Sequence, residues 1–151
     1  MVTTFAVDDV WSLGIKRGLE LVGAGLVSSA ADYDRFLAML VGKGQVNGTR
    51  IMSEATALMG MSNLLPPGVE TKGTMADGSG FGAGGRVGIG TDTSPIGTYG
   101  WGGAAGTLAS VSYKVQLRST LFTQYMPSEA YPVRDEFLAA FAKDLAAKAG
   151  V

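Results

Sequence analysis

Val115-Gln116-Leu117-Arg118-Ser119-Thr120-Leu121-Phe122-Thr123 sets Val115, Leu117, Ser119, Leu121 and Thr123 in alternation with Gln116, Arg118, Thr120 and Phe122. A period of two is that of a β-strand, and the pattern predicts one over about 115–125. A second strand is predicted at about 103–113, so the connection around Tyr113-Lys114 is short and the pair must form an antiparallel hairpin. A third is predicted at about 80–90. Residues 73–106 hold 13 of the 23 glycines, yet Phe81, Val87, Ile89, Tyr99 and Trp101 punctuate them. A flexible linker would lack such side chains. Strands joined by loops fit better, with glycine where the backbone bends or a ligand approaches closely.

Working outward, Pro132 precedes a helical pattern in which Val133, Phe137, Leu138, Phe141, Leu145 and Ala149 share one face, with Arg134, Asp135, Lys143, Asp144 and Lys148 largely elsewhere. A sheet with one apolar side has to be covered, so this long helix is expected across a sheet face. Upstream, Ser29 and Asp32 have the spacing of a helix N-terminus. Ala30, Tyr33, Phe36, Leu37, Leu40 and Val41 then recur at helical steps until Gly42 and Gly44. Gln45-Val46-Asn47-Gly48 reads as a turn, Ser53 as the cap of a second short helix, and Leu64-Leu65-Pro66-Pro67-Gly68 as extended chain. The class is therefore α+β: a leader of uncertain structure over 1–22 (Val10 to Ile15 a short strand at most), a helical segment at about 29–62, and a sheet with its closing helix at about 80–149.

At 151 residues the chain suffices for one domain, which can bury roughly 68–70% of its unfolded surface. Hydrophobic residues make up 46% and charged residues 17%, a globular balance. Twelve basic against thirteen acidic side chains leave a net charge of −1, too even to steer a polyanion, so no nucleic-acid partner is expected. The start, Met1 to Asp9, has no basic region and meets two acids early, so it is not a signal peptide. No run of 18 apolar residues occurs, and no membrane span is expected. The expected location is cytoplasmic, or periplasmic if an N-terminal part precedes these residues.

The chain contains no histidine and no cysteine. That removes the Ser-His-Asp triad, the imidazole base, thiolate nucleophiles, disulfides and the commonest zinc ligands. The remaining charges show no clustering that asks for a metal, and no cofactor is expected. Gly80-Phe81-Gly82-Ala83-Gly84-Gly85 matches G-x-G-x-x-G but lacks the strand before and the helix after that would aim N–H groups at a pyrophosphate. Asp32 and Asp34 lie two positions apart, so a helix turns them to different faces. Tyr99-Gly100-Trp101-Gly102-Gly103-Ala104-Ala105-Gly106-Thr107 remains. Its small residues leave main-chain N–H groups uncovered, as donors to a developing oxyanion must be, and Trp101 would supply an apolar wall. A glycine-rich approach to a strand with a buried tryptophan accounts for the same residues without chemistry.

Gly23-Ala24-Gly25-Leu26-Val27-Ser28-Ser29-Ala30-Ala31-Asp32-Tyr33-Asp34-Arg35-Phe36 resembles a signature segment of serine hydrolases related to class C β-lactamases, penicillin-binding proteins and their esterase branch. The order that follows is similar too: a helix, an Asn-Gly turn, Ile51-Met52-Ser53 leading into a short helix, then Gly80-Phe81-Gly82. Trp101-Gly102-Gly103 resembles the esterase-branch form of the third active-site motif, Lys-Thr-Gly in many relatives. The resemblance covers about 23–148 and implies a partial β-lactamase-like fold. In that family a Ser-x-x-Lys serine attacks an ester or lactam carbonyl, while the lysine and a Tyr-x-Asn tyrosine handle its proton. Carried over, Tyr99, Trp101, Gly102 and Gly103 line the substrate site and the Ala104 N–H is one oxyanion donor. Trp101 stands where a lysine could bind a substrate carboxylate, which implies an ester-like or uncharged substrate.

The nucleophile half of the pattern is missing. All six lysines (Lys16, Lys43, Lys72, Lys114, Lys143 and Lys148) have Leu, Val or Ala three positions earlier, so there is no Ser-x-x-Lys. None of Tyr33, Tyr99, Tyr113, Tyr125 or Tyr131 is followed at the second position by Asn. The resemblance thus implies the C-terminal part of such a hydrolase, inactive alone, whose partner is a complementing N-terminal half or another copy. The rival is a non-catalytic binding or assembly module derived from the same fold.

Overall fold

The structure, a computed structural model, describes residues 28–91, 94–128 and 130–149. The leader over 1–22, with Val10 to Ile15, lies outside the described residues. The chain divides into two compact units, Met1–Tyr33 and Asp34–Val151. In the first, Ser29 is the helix cap that its spacing predicts: its Oγ accepts from the Asp32 N–H at 3.1 Å and donates to the Asp32 carboxylate at 2.8 Å.

Helix α1 spans Ala30–Val41 and buries Leu37, Met39, Leu40 and Val41, while Phe36 of the predicted stripe is 46% exposed. Lys43 and Gly44 both take positive φ at the end of the helix, and a Cβ on Gly44 would collide with the Met52 carbonyl. The Gln45–Gly48 turn lies within a two-stranded ribbon, β1 (Gln45–Val46) against β2 (Thr49–Arg50), with Asn47 and Gly48 at φ 49° and 79°. Ser53 caps α2 (Glu54–Gly60) by accepting from the Thr56 N–H at 3.0 Å. Asn63 then ties this region to the sheet, its Oδ1 accepting from Phe81 N–H at 3.0 Å and from Leu65 N–H at 3.3 Å.

Five strands, β3 (Gly80–Phe81), β4 (Arg86–Val87), β5 (Thr98–Gly102), β6 (Leu108–Ser112) and β7 (Leu117–Leu121), form one antiparallel sheet in that order. The fold class α+β is observed. The β6–β7 hairpin closes through Tyr113–Gln116 as predicted, with Gln116 at φ 54°. Three strand expectations need correction. The strand at about 115–125 is confined to Leu117–Leu121, because Val115 and Gln116 belong to the hairpin turn. The strand at about 80–90 is two short strands, because Gly82–Gly85 turns the chain back and Gly84 sits at φ 83°. The strand at 103–113 starts only at Leu108: Thr98–Gly102 is a strand itself, and residues 103–107 close a hairpin in which the Gly103 N–H donates to the Thr107 carbonyl at 2.9 Å.

Helix α3 runs Val133–Ala149, with Phe137 and Phe141 stacked at 6.0 Å. None of its described side chains is buried, and Leu138 is 44% exposed. The covering of the sheet by this helix is therefore not seen. Its apolar face is short, and alanines offer little area to bury. The buried hydrophobic residues, among them Leu37, Leu40, Ala57, Met61, Val87 and Val111, make a thin core.

One long-range ion pair stands out. Arg118 of β7 donates Nε to Asp34 Oδ1 at 2.6 Å and Nη2 to Asp34 Oδ2 at 2.9 Å, a fork-shaped match across 84 positions of chain. These bonds hold the Asp34 carboxyl below its ordinary range. A depressed folded-state pKa gives stability that is complete above the unfolded value, about 3.9, and is lost as pH falls through the folded value. Both side chains are more than a third exposed, so screening limits the pair to about 1 kcal/mol or less. Asp34→Asn should lower stability by that amount in urea unfolding at pH 7, and the difference should close when the same comparison is made at a pH well below the carboxylate range. A difference unchanged with pH would mean that Asp34 acts through packing rather than charge.

Candidate functional site

Strand β5 is the centre of the site. Gly100 pairs with Ser110, and a Cβ on it would overlap the Ala109 carbonyl, so only glycine lets β5 lie this close to β6. On either side of Gly100 stand the two large side chains. Tyr99 pairs in register with Val87 and Val111, both buried, and its hydroxyl donates to the Ala83 carbonyl at 2.5 Å. Trp101 receives the edge of Phe81, with ring centroids 5.3 Å apart and planes at 87°. The Arg86 guanidinium lies 5.4 Å from the Trp101 ring centroid, in cation–π range, and donates from Nε to the Met75 carbonyl at 2.7 Å.

These residues open onto a cleft of about 870 Å³. Tyr99, Trp101, Gly102, Gly103 and Ala104, singled out from the sequence, all line it. Ala104 is exposed in the β5–β6 turn, and among the described residues no acceptor lies within hydrogen-bond reach of its N–H. The neighbouring groups are engaged. The Gly103 carbonyl accepts from Arg134 Nη2, and the Ala105 carbonyl accepts from the Thr123 hydroxyl and from the Tyr125 N–H at 3.0 Å. A smaller groove of about 460 Å³, bordered by Asn63, Lys72, Asp77, Ser79 and Ile89, contains none of the five.

Other candidates separate from this cleft. The G-x-G-x-x-G run forms β3, a turn and β4, with no helix to follow, so it builds no pyrophosphate cradle. Asp32 serves the helix cap and Asp34 binds Arg118, which makes them two unrelated carboxylates. Among the described residues no group of three potential metal-ligating side chains comes together, and no helix is long and apolar enough to cross a membrane. No lysine borders the large cleft, and its serines include Ser110, whose hydroxyl is bonded to that of Ser119 at 2.9 Å.

Among the cleft residues that were not sequence candidates are two cations, Arg86 and Arg134. Arg86 gives no signal of its own within a glycine-rich run. Arg134 does, since a cation in the first turn of a helix opposes the helix dipole and asks for another reason to be there. No protein-family model matches this chain, and no curated protein matches it.

Trp101→Ala should cost about 1–3 kcal/mol in urea unfolding, less than a fully buried aromatic because the ring is only half-buried. Trp101→Phe, which keeps an aromatic partner for Phe81, should recover part of that loss. Equal costs for the two variants would deny the edge contact a stabilising role.

Proposed function

We propose that this chain supplies one wall of the acyl-transfer cleft of a β-lactamase-related serine hydrolase, on a partial β-lactamase-like fold, without the nucleophile. The observation that carries this reading is that Tyr99, Trp101, Gly102, Gly103 and Ala104 border one cleft, and that the Ala104 N–H has no acceptor among the described residues. A donor held open in a turn suits a charge that exists only during reaction. In the complete enzyme a serine hydroxyl attacks the ester carbonyl, its proton passing to a base, and the carbonyl oxygen takes the negative charge. Expulsion of the alcohol gives an acyl-serine, which water then cleaves to the acid and the restored serine. Trp101, braced by Phe81, supplies an apolar surface for an ester-like, uncharged substrate.

The second reading, a binding or assembly module, draws on a different observation. Large apolar side chains stand in solvent, among them Val115, Phe122 and Met126, at 69%, 54% and 68% exposure, on and after the β6–β7 hairpin. Such surface favours association. Light scattering separates the readings: a stable dimer supports assembly, while a monomer that still recognises a tetrahedral anion supports the wall.

Two measurements test the proposal. Incubated alone with p-nitrophenyl esters or nitrocefin, the chain should show no turnover above its Ser29→Ala variant, and a burst of acylation on one of its serines would overturn the missing-nucleophile argument. Phenylphosphonate, an aryl-bearing tetrahedral anion, should shift the Ala104 amide and the Trp101 indole resonances together in a ¹H–¹⁵N spectrum, leaving β7 unmoved. A titration that shifts neither sinks the wall reading.

A further inference from the structure

The peptide unit between Gly103 and Ala104 carries two groups with opposite tasks. Its N–H belongs to Ala104 and is the candidate donor. Its carbonyl belongs to Gly103 and accepts from Arg134 Nη2. A trans peptide is planar, with C=O and N–H pointing in opposite directions, so whatever fixes the carbonyl fixes the amide. We infer that Arg134 is a positioning residue: by holding the Gly103 carbonyl from the first turn of α3, it sets the direction in which the Ala104 N–H points. The role in catalysis rests on the wall reading above, whereas the mechanical link does not.

Three further observations fit this assignment. A Cβ on Gly102 would lie 3.2–3.3 Å from the guanidinium carbon and both Nη atoms, so the guanidinium sits closely over β5 at this glycine. The Arg134 Nε is buried with no acceptor among the described residues, a cost accepted to bring Nη2 to Gly103. The residue also occupies the first helical turn, where the dipole disfavours a cation. The rest of the turn is anchored independently, through the Gly103 N–H to Thr107 and the Ala105 carbonyl to Thr123 and Tyr125. Arg134 therefore governs one peptide plane rather than the hairpin as a whole.

Amide ¹⁵N relaxation on the intact chain reads this directly. In the wild-type protein the Ala104 order parameter should lie in the rigid range, about 0.85, and in Arg134→Met it should fall below about 0.6 while the β6 and β7 amides stay rigid. Arg134→Lys, which keeps a cationic donor, should restore part of the order, and added guanidinium chloride at millimolar level should do the same for Arg134→Ala. If Arg134→Met does not fold, Gly102→Val provides the second test, since the carbons beyond its Cβ need space that the guanidinium fills. An Ala104 order parameter unchanged in folded Arg134→Met or Gly102→Val overturns the inference. Loss of order without rescue by lysine or guanidinium overturns it too, since that marks a general packing defect. Failure of the wall reading looks different: phenylphosphonate leaves Ala104 unshifted although Arg134 still controls its order.

Discussion

At Gly100 the absence of a single carbon atom decides how the sheet and the cleft are built. With no Cβ there, β5 lies against β6 closely enough that the Ala109 carbonyl occupies the space any side chain would need. The flanking residues inherit that placement. Tyr99 is carried to the Ala83 carbonyl, and Trp101 to the edge of Phe81 and the guanidinium of Arg86. Gly85 belongs to the same arrangement, since a Cβ on it would press on the Tyr99 ring at 2.9–3.0 Å. The cleft bordered by this strand joins two aromatic rings to a polar rim that includes Asp77, Arg86, Arg134 and Asp135.

The parts of the fold legible in the sequence are those where side chains alternate or recur strongly. The β6–β7 hairpin, the Ser29 and Ser53 caps and the course of α1 and α3 follow from periodicity and hydroxyl spacing, because those signals act over a few residues. The glycine-rich stretch over 73–106 was legible only as strands joined by loops. Glycine carries neither a period nor a preferred sign of φ, so the split of 80–90 into β3 and β4, and the strand at Thr98–Gly102, were settled by contacts that no local pattern records. The cleft shows the same division. Trp101 and the small residues after it announce themselves, whereas Arg86 and Arg134 enter through partners 11 and 31 positions away. The long bond between Asp34 and Arg118 belongs with them: nothing local to either residue points to the other.

The thin core and the exposed apolar side chains have a common physical origin. Among the described residues ten elements of structure, four of them strands of two residues, leave few faces that stack on one another. Helix α3 gains little from its own face, since alanines fill much of it, and its best-defined link to the sheet is polar, through Arg134. Tethers of this kind fix geometry more than they stabilise, because each replaces a bond to water with one of similar strength. A structure held this way can keep a few peptide planes well ordered while its global stability stays small.

That distinction bears on what such a cleft can contribute to chemistry. Lacking histidine and cysteine, the chain has no side chain whose ordinary titration falls near neutrality. A peptide N–H carries its dipole at every pH and needs no proton bookkeeping. A wall that works through the Ala104 N–H, aimed by a guanidinium that stays charged throughout the physiological range, would be indifferent to pH. Any pH dependence of the complete reaction must then arise where the attacking hydroxyl loses its proton. On the proposed wall reading the division of labour would be electrostatic in kind: a fixed dipole on this chain, and a titrating group elsewhere in the complete site.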